Sequence, residues 1–203
     1  MARHVFLVAA PVGAMVGAAI AGYDYVVNVL LWERFSTTLP PVALCLLPVA
    51  GMFLTGLVLQ LFRVKSSSMA DEVVRAYHKP GAGIEYGTAV PKLAASVATM
   101  GFGASAGMEG ASKWLGATIS SFVQLGVNRR PGLRWLHGRV ETTLIAGAAA
   151  GISAIFRAPL TGAIMGIESP YKRDMAHESL IHGLIAAATS YATFAFFRPA
   201  TPY

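Results

Sequence analysis

The sequence predicts an all-α membrane protein built from tilted and half-spanning helices, and three observations carry that expectation. The chain has 203 residues, 55% of them hydrophobic, with a mean hydropathy of +0.56. Charged residues make up 13%, about half the usual share in a soluble protein. Residues 39–62, "LPPVALCLLPVAGMFLTGLVLQLF", carry no charge, and about 20 apolar residues suffice to cross a bilayer. Several later apolar segments are too short for that. Segment 159–168 would be about 15 Å long at the helical rise. Short, Gly/Pro-interrupted segments of this kind occur where helices end inside a protein-lined cavity. The whole of 1–203 therefore reads as one transmembrane region with the lipid bilayer as its first partner.

The elements follow in order. Residues 5–23 are uncharged after Arg3 and could imitate a signal peptide. The apolar run continues through "VVNVLLW" to Trp32, beyond an ordinary signal core, so a mature, tilted helix is expected over 5–33. A second spans 40–62. The "KSSSMADE" turn opens a short amphipathic helix over 69–79, with serines before it and Asp71 and Glu72 in its first turn, a capping pattern. A loop follows at 78–87. Helices are expected at 89–101, 109–125, 139–155, 159–168 and 176–197, with a basic loop at 126–139. Pro159 suits the first turn of a helix. Arg3 favours a cytoplasmic N-terminus, and two crossings return Arg63, Lys65, Arg75 and Lys79 to the same side. Cys45, the single cysteine, is expected to be a small buried hydrophobe. Asp24 lies in the first helix, either near a membrane face or paired inside the bundle. The five histidines have no metal-ligand spacing, and His182 is expected to bond Glu178 one turn earlier. The net charge of +6 is a topology signal; no basic-aromatic array points to nucleic acid.

Chemistry concentrates in "GFGASAGMEGAS", 101–112. "GFGASA" formally matches a dinucleotide fingerprint, which needs a preceding strand and an acidic residue about 20 positions on. An apolar helical stretch precedes it instead, and no Asp or Glu occurs between Glu109 and Glu141. The better reading is a glycine-rich turn opening a helix at Glu109. The first amides of a helix lack intrahelical acceptors and sit at the positive end of its dipole. Such an end binds anions without a basic side chain. A carboxylate there can hold the anion's place and leave when displaced or protonated, which would make Glu109 a gate. The plainer role is stabilisation of its own helix. A serine hydroxyl beside the helix start at 69 is a second anion donor. In "GAAAGISAIFRAPLTGAIMGIES", 147–169, small residues permit close helix contact.

These residues resemble the CLC family of chloride channels and proton-coupled chloride exchangers. "GMEGA" at 107–111 is similar to the family's G-[K/R]-E-G-P motif, whose glutamate is the gate. "AAGISAIFRAPLTGAIMGIE" resembles its A-A-x-x-A-x-F-x-A-P-L-x-G-x-x-F-x-x-E segment, and "SSSMA" at 66–70 is a degenerate G-S-G-I-P. The order and spacing agree. The resemblance implies one repeat of an inverted-repeat CLC-like unit, the N-terminal half of the transport domain. It implies an anion site formed by Ser67 and the helix start at Met108, Glu109 and Gly110, with Glu109 as the gating residue. No cofactor is implied; chloride or another small anion is the transported ligand. The expected setting is multi-pass in a plasma (inner) membrane, as a homodimer contacting through 159–168 and 180–197, with Ala187 and Ala188 in that contact.

The departures have consequences. Met108 replaces a Lys or Arg and removes a positive charge. Ala111 replaces Pro, and Ser66, Ser68 and Ala70 replace Gly, Gly and Pro. Ser169 stands where exchangers carry an inner, proton-passing glutamate, with Glu168 matching the residue before it. That favours channel-like or uncoupled conduction over exchange. The family's second half, with its G-x-F-x-P motif and pore tyrosine, has no counterpart in this sequence, so either the chain is a fragment or another chain supplies it. Two other functions compete. An intramembrane hydrolase using Glu109 lacks a nucleophile-base pair, so no enzyme is expected. A non-conducting half-transporter or membrane scaffold needs only the helix packing.

Overall fold

The computed structural model describes residues 2–64, 68–79, 84, 86–171 and 173–199, and their regular structure is helical throughout. Phe6–Thr38, Pro41–Leu61 and His177–Phe197 are long and apolar enough to cross a membrane. The first is one continuous rod. Helix α1 (Ala2–Asp24) runs through a π-helical stretch, Tyr25–Glu33, into α2 (Arg34–Thr38). Its 33 described apolar-rich residues exceed the roughly 20 a bilayer needs, a length that leaves room for the expected tilt. The wider π turn brings Leu31 and Trp32 against Gly101 and Gly103. A Cβ at either glycine would collide with those side chains, and Gly103 also has φ +79°, a conformation that favours glycine.

Asp24 is buried and paired. Arg198 Nε donates to its Oδ2 at 2.8 Å, and Asn28 Nδ2 donates to its Oδ1 at 2.7 Å. The Arg198 guanidinium also lies over the Tyr25 ring. Of the two sequence alternatives for Asp24, pairing inside the bundle is the one adopted, and it ties the first helix to the last.

Helix α3 (Pro41–Leu61) begins with Pro41 in its first turn, where the missing N–H is no loss. Gly51, against Phe102, is its one buried residue. Cys45 on this helix is exposed, contrary to expectation. A helix that is apolar all round and peripheral turns most of its surface to lipid, so an apolar neighbourhood in the sequence does not mean burial.

Helices α4 (Met69–Tyr77), α5 (Ala89–Gly101) and α6 (Met108–Asn128) follow. Helix α6 runs further at both ends than the expected 109–125. The basic loop after it contains a 3₁₀ turn, Pro131–Leu136. The centre of the fold is α7 (Val140–Phe156), whose Leu144, Ile145, Ala146, Ala148, Ala149, Ala150 and Ile152 are fully buried. Helices α1 and α6 pack on it, and glycines set the spacing. A Cβ at Gly116 of α6 would strike the Gly147 backbone, and one at Gly151 would strike Ser112. Association through small residues is the expected packing mode where lipid removes the hydrophobic drive.

Helix α7 ends at Arg157 in the left-handed region (φ +54°), and Ala158 N donates to Ser153 O at 3.2 Å. The chain turns back into α8 (Pro159–Glu168), which has the expected bounds. A 3₁₀ turn, His177–Ser179, leads into α9 (Leu180–Phe197), so the last α-helix starts later than the expected 176. A further expectation is corrected on α9. Ala187 is fully buried inside the subunit and its carbonyl accepts from Ser153 Oγ at 2.7 Å, so it cannot face another protomer, whereas Ala188 is exposed. The Glu178 carboxylate pairs with Arg139 at 2.8 Å, and the expected local bond between Glu178 and His182 is made by the Glu178 backbone.

Candidate anion site

Helix α4 opens at Ser68, whose Oγ accepts from Asp71 N at 3.3 Å. Ser68 is thus the capping serine of the sequence triplet. Ser67, the expected anion-binding serine, lies outside the described residues. Helix α5 ends in the Gly103 turn, a tight turn follows in which Ala106 N donates to Ala104 O at 2.8 Å, Gly107 is extended, and α6 begins at Met108. The amides of Met108, Glu109 and Gly110 are therefore the first of α6, without intrahelical acceptors and at the positive end of the dipole.

Two helix starts far apart in sequence open onto one cleft. It has a volume of about 310 Å³, and Ser68, Gly107 and Gly110 line it together with Thr55, Lys92 and Thr99. Its wall is hydrogen-bonded: the Thr55 hydroxyl lies 2.7 Å from that of Thr99 and donates to Ala95 O at 2.9 Å. The expected site residues behave differently from one another. Gly110 lines the cleft. Met108 packs its side chain against the cluster of Tyr23, Val27 and Ala111, so the apolar residue at this position is absorbed by the helix core. Glu109 is half-buried in the first turn of α6, beside the cleft, and its carbonyl accepts from Ser112 Oγ at 3.1 Å. Among the described residues no ion pair holds the Glu109 carboxylate.

A buried triad escaped the sequence reading. Lys92 of α5 is 4% exposed, and its Nζ donates to Glu72 Oε2. Trp114 Nε1 of α6 donates to the same oxygen at 2.8 Å. One carboxylate thus joins α4, α5 and α6, the helices whose ends frame the cleft. The one visible signal was a lysine inside the otherwise apolar "VPKLAASVATM". Its partners lie 20 residues before and 22 after, 42 apart from each other, at no motif spacing.

The model of the family described as voltage gated chloride channel matches residues 50–203. The voltage-gated ClC-type chloride channel ClcB of Escherichia coli is 29% identical over 175 residues, covering 79% of this chain and 40% of the relative. The protein of that name from Shigella boydii is 28% identical over 172 residues, covering 78% and 39%. A solved CLC-type fluoride/proton antiporter has a similar structure, with a TM-score of 0.74 at 23% identity over 96% of this chain and 47% of its own. A slow cyanobacterial Cl−/H+ antiporter gives a TM-score of 0.70 at 19% identity, over 98% and 48%. The likeness to these two structures establishes the fold. The chain spans under half the length of each of these proteins, as expected of one repeat of a two-repeat unit. With a family match over most of its length, the chain belongs to the voltage-gated chloride channel (CLC) family.

Proposed function

We propose that this chain forms one half of an anion-transport unit, in which the Glu109 carboxylate competes with a permeating anion for the start of α6. The observation that carries this reading is the convergence of two helix starts on a single cleft, with Glu109 in the first turn of one of them and no ion pair committing its charge among the described residues. Chloride is the anion named in the descriptions of the matched family and of the curated relatives. A second half of CLC type, from the same or another chain, completes the pathway. The assembly sits in the plasma membrane and acts as a transporter, not an enzyme.

Conduction is uncoupled or weakly coupled to protons. Ser169 caps the C-terminal end of α8, and a hydroxyl is a poor proton carrier near neutral pH. The test is chloride efflux, with simultaneous external pH recording, from liposomes containing the complete assembly. Chloride flux without stoichiometric proton uptake is expected. Proton movement in fixed ratio to chloride, surviving Glu168→Gln, overturns the uncoupled reading. Absence of any anion flux leaves the scaffold function in its place.

The assembly is a homodimer through the outer faces of α8 and α9. Leu160, Ile164, Ile181, Leu184 and Tyr191 are exposed there, and Ala188 lies on the same side of α9. Ala188→Trp is expected to overpack a close helix contact, at about 1–3 kcal/mol. It should shift the detergent-solubilised protein toward monomer by light scattering. An unchanged dimer mass would move the interface elsewhere.

A further inference from the structure

We infer that Lys113 forms an inner anion-binding position with Ser169, one helical turn past Glu109; this extends the transport reading above. Lys113 is 8% exposed, and its Nζ donates to Ser169 Oγ at 2.8 Å. It lies four residues after Glu109, so both side chains fall on one stripe of α6. An anion moving inward from the start of α6 along that stripe meets the ammonium next.

Two lysines are buried among the described residues, and they are treated differently. Lys92 is neutralised in direct contact with Glu72. Lys113 has no carboxylate in contact among the described residues. The charges that act on it are Glu109 on its own helix and Asp71 in the first turn of α4. Glu168, next to Ser169, is exposed. A buried charge with no opposite charge in direct contact is unfavourable, so the position favours a counter-ion.

The donors are arranged to receive one. Ser169 uses its oxygen to accept from Lys113, which leaves its own O–H to donate. The ammonium has three N–H groups, and one is committed to Ser169. A monovalent anion beside this pair would accept one N–H and one O–H and would balance the charge. The ammonium also supplies, from inside, the positive charge that Met108 does not supply at the helix start.

The test measures chloride binding by calorimetry and chloride efflux from liposomes, on the complete assembly carrying Lys113→Met, Lys113→Arg or Ser169→Ala. Lys113→Met keeps the length of the side chain and is expected to weaken chloride binding by about tenfold or more. Lys113→Arg keeps the charge and should recover part of that loss. Ser169→Ala removes one neutral donor, together with the acceptor of the Lys113 ammonium, and should weaken binding by about fivefold; it carries the test if Lys113→Met does not fold. Wild-type affinity in Lys113→Met, an Arg variant no better than Met, or wild-type affinity in Ser169→Ala overturns the inference. Efflux in the wild type that Lys113→Met leaves intact rejects this position while the transport reading stands. Chloride binding that depends on Lys113, without any efflux, rejects transport and keeps the position. A wild type that neither binds nor conducts rejects both.

Discussion

Glu109→Ala is expected to conduct anions at neutral pH and to lose most of the dependence of flux on pH, with Glu109→Gln shifted in the same direction. In the proposed transport unit the carboxylate and the permeating anion compete for the amides of Met108, Glu109 and Gly110. As pH falls, protonation removes the side-chain charge and with it the attraction to the positive helix end. Flux through the wild type should therefore rise toward low pH. A charge at a partly buried helix terminus is worth up to about 2 kcal/mol, or about 30-fold in occupancy. Gln mimics the protonated side chain, and Ala vacates the position. A carboxylate that only caps its helix predicts a different result: about 0.3–1 kcal/mol of lost stability and an unaltered pH profile. Anion efflux against pH for the three forms, at matched protein density, separates these outcomes. Wild-type pH dependence in Glu109→Ala would remove Glu109 as the gate.

Local signals made much of this protein legible in its sequence, and the misses have two physical causes. Helix α8 keeps its expected bounds because Pro159 fixes its first turn and the chain turns at once after Glu168. The start of α6 was visible in the glycines before it, since only a glycine takes the positive φ of Gly103 against Trp32 without strain. Burial was harder to read. In a soluble protein apolar character separates inside from outside. In lipid both faces of a helix are apolar, so Cys45 and Ala188 look in the sequence like Gly51 and Ala187, yet the first two are exposed and the last two buried. Only small residues that must touch another backbone distinguish the inward face, as Gly116, Gly147 and Gly151 do. Polar pairs between helices were not legible either. Asp24 meets Arg198, Lys92 meets Glu72 and Lys113 meets Ser169, all at separations set by tertiary packing. In each case an isolated polar side chain in an apolar segment was the visible half of the pair.

Glu72→Ala is expected to be the most destabilising of the polar substitutions near the cleft. It strips from Lys92 Nζ and from Trp114 Nε1 at once the acceptor they share among the described residues. An ammonium 4% exposed would be left without its counter-charge. Breaking a buried pair from one side typically costs about 3–5 kcal/mol, and an orphaned indole N–H adds about 1–3 kcal/mol. Lys92→Met alone should also be costly, because it leaves the Glu72 charge buried, although Trp114 still donates to it. The double variant Glu72→Leu/Lys92→Met removes both charges together. Replacing a buried ion pair by apolar residues of similar volume is often neutral or stabilising, so much of the single-variant loss should be recovered. Thermal unfolding in detergent, followed by tryptophan fluorescence, measures all three. The triad has a second consequence that stability alone does not report. Glu72 holds the first turn of α4 to α5 and α6, and so fixes Ser68 against Gly107 and Gly110 across the cleft. The double variant should therefore fold but bind chloride more weakly than the wild type. A double variant with wild-type stability and wild-type chloride affinity would show that packing alone positions the two helix starts.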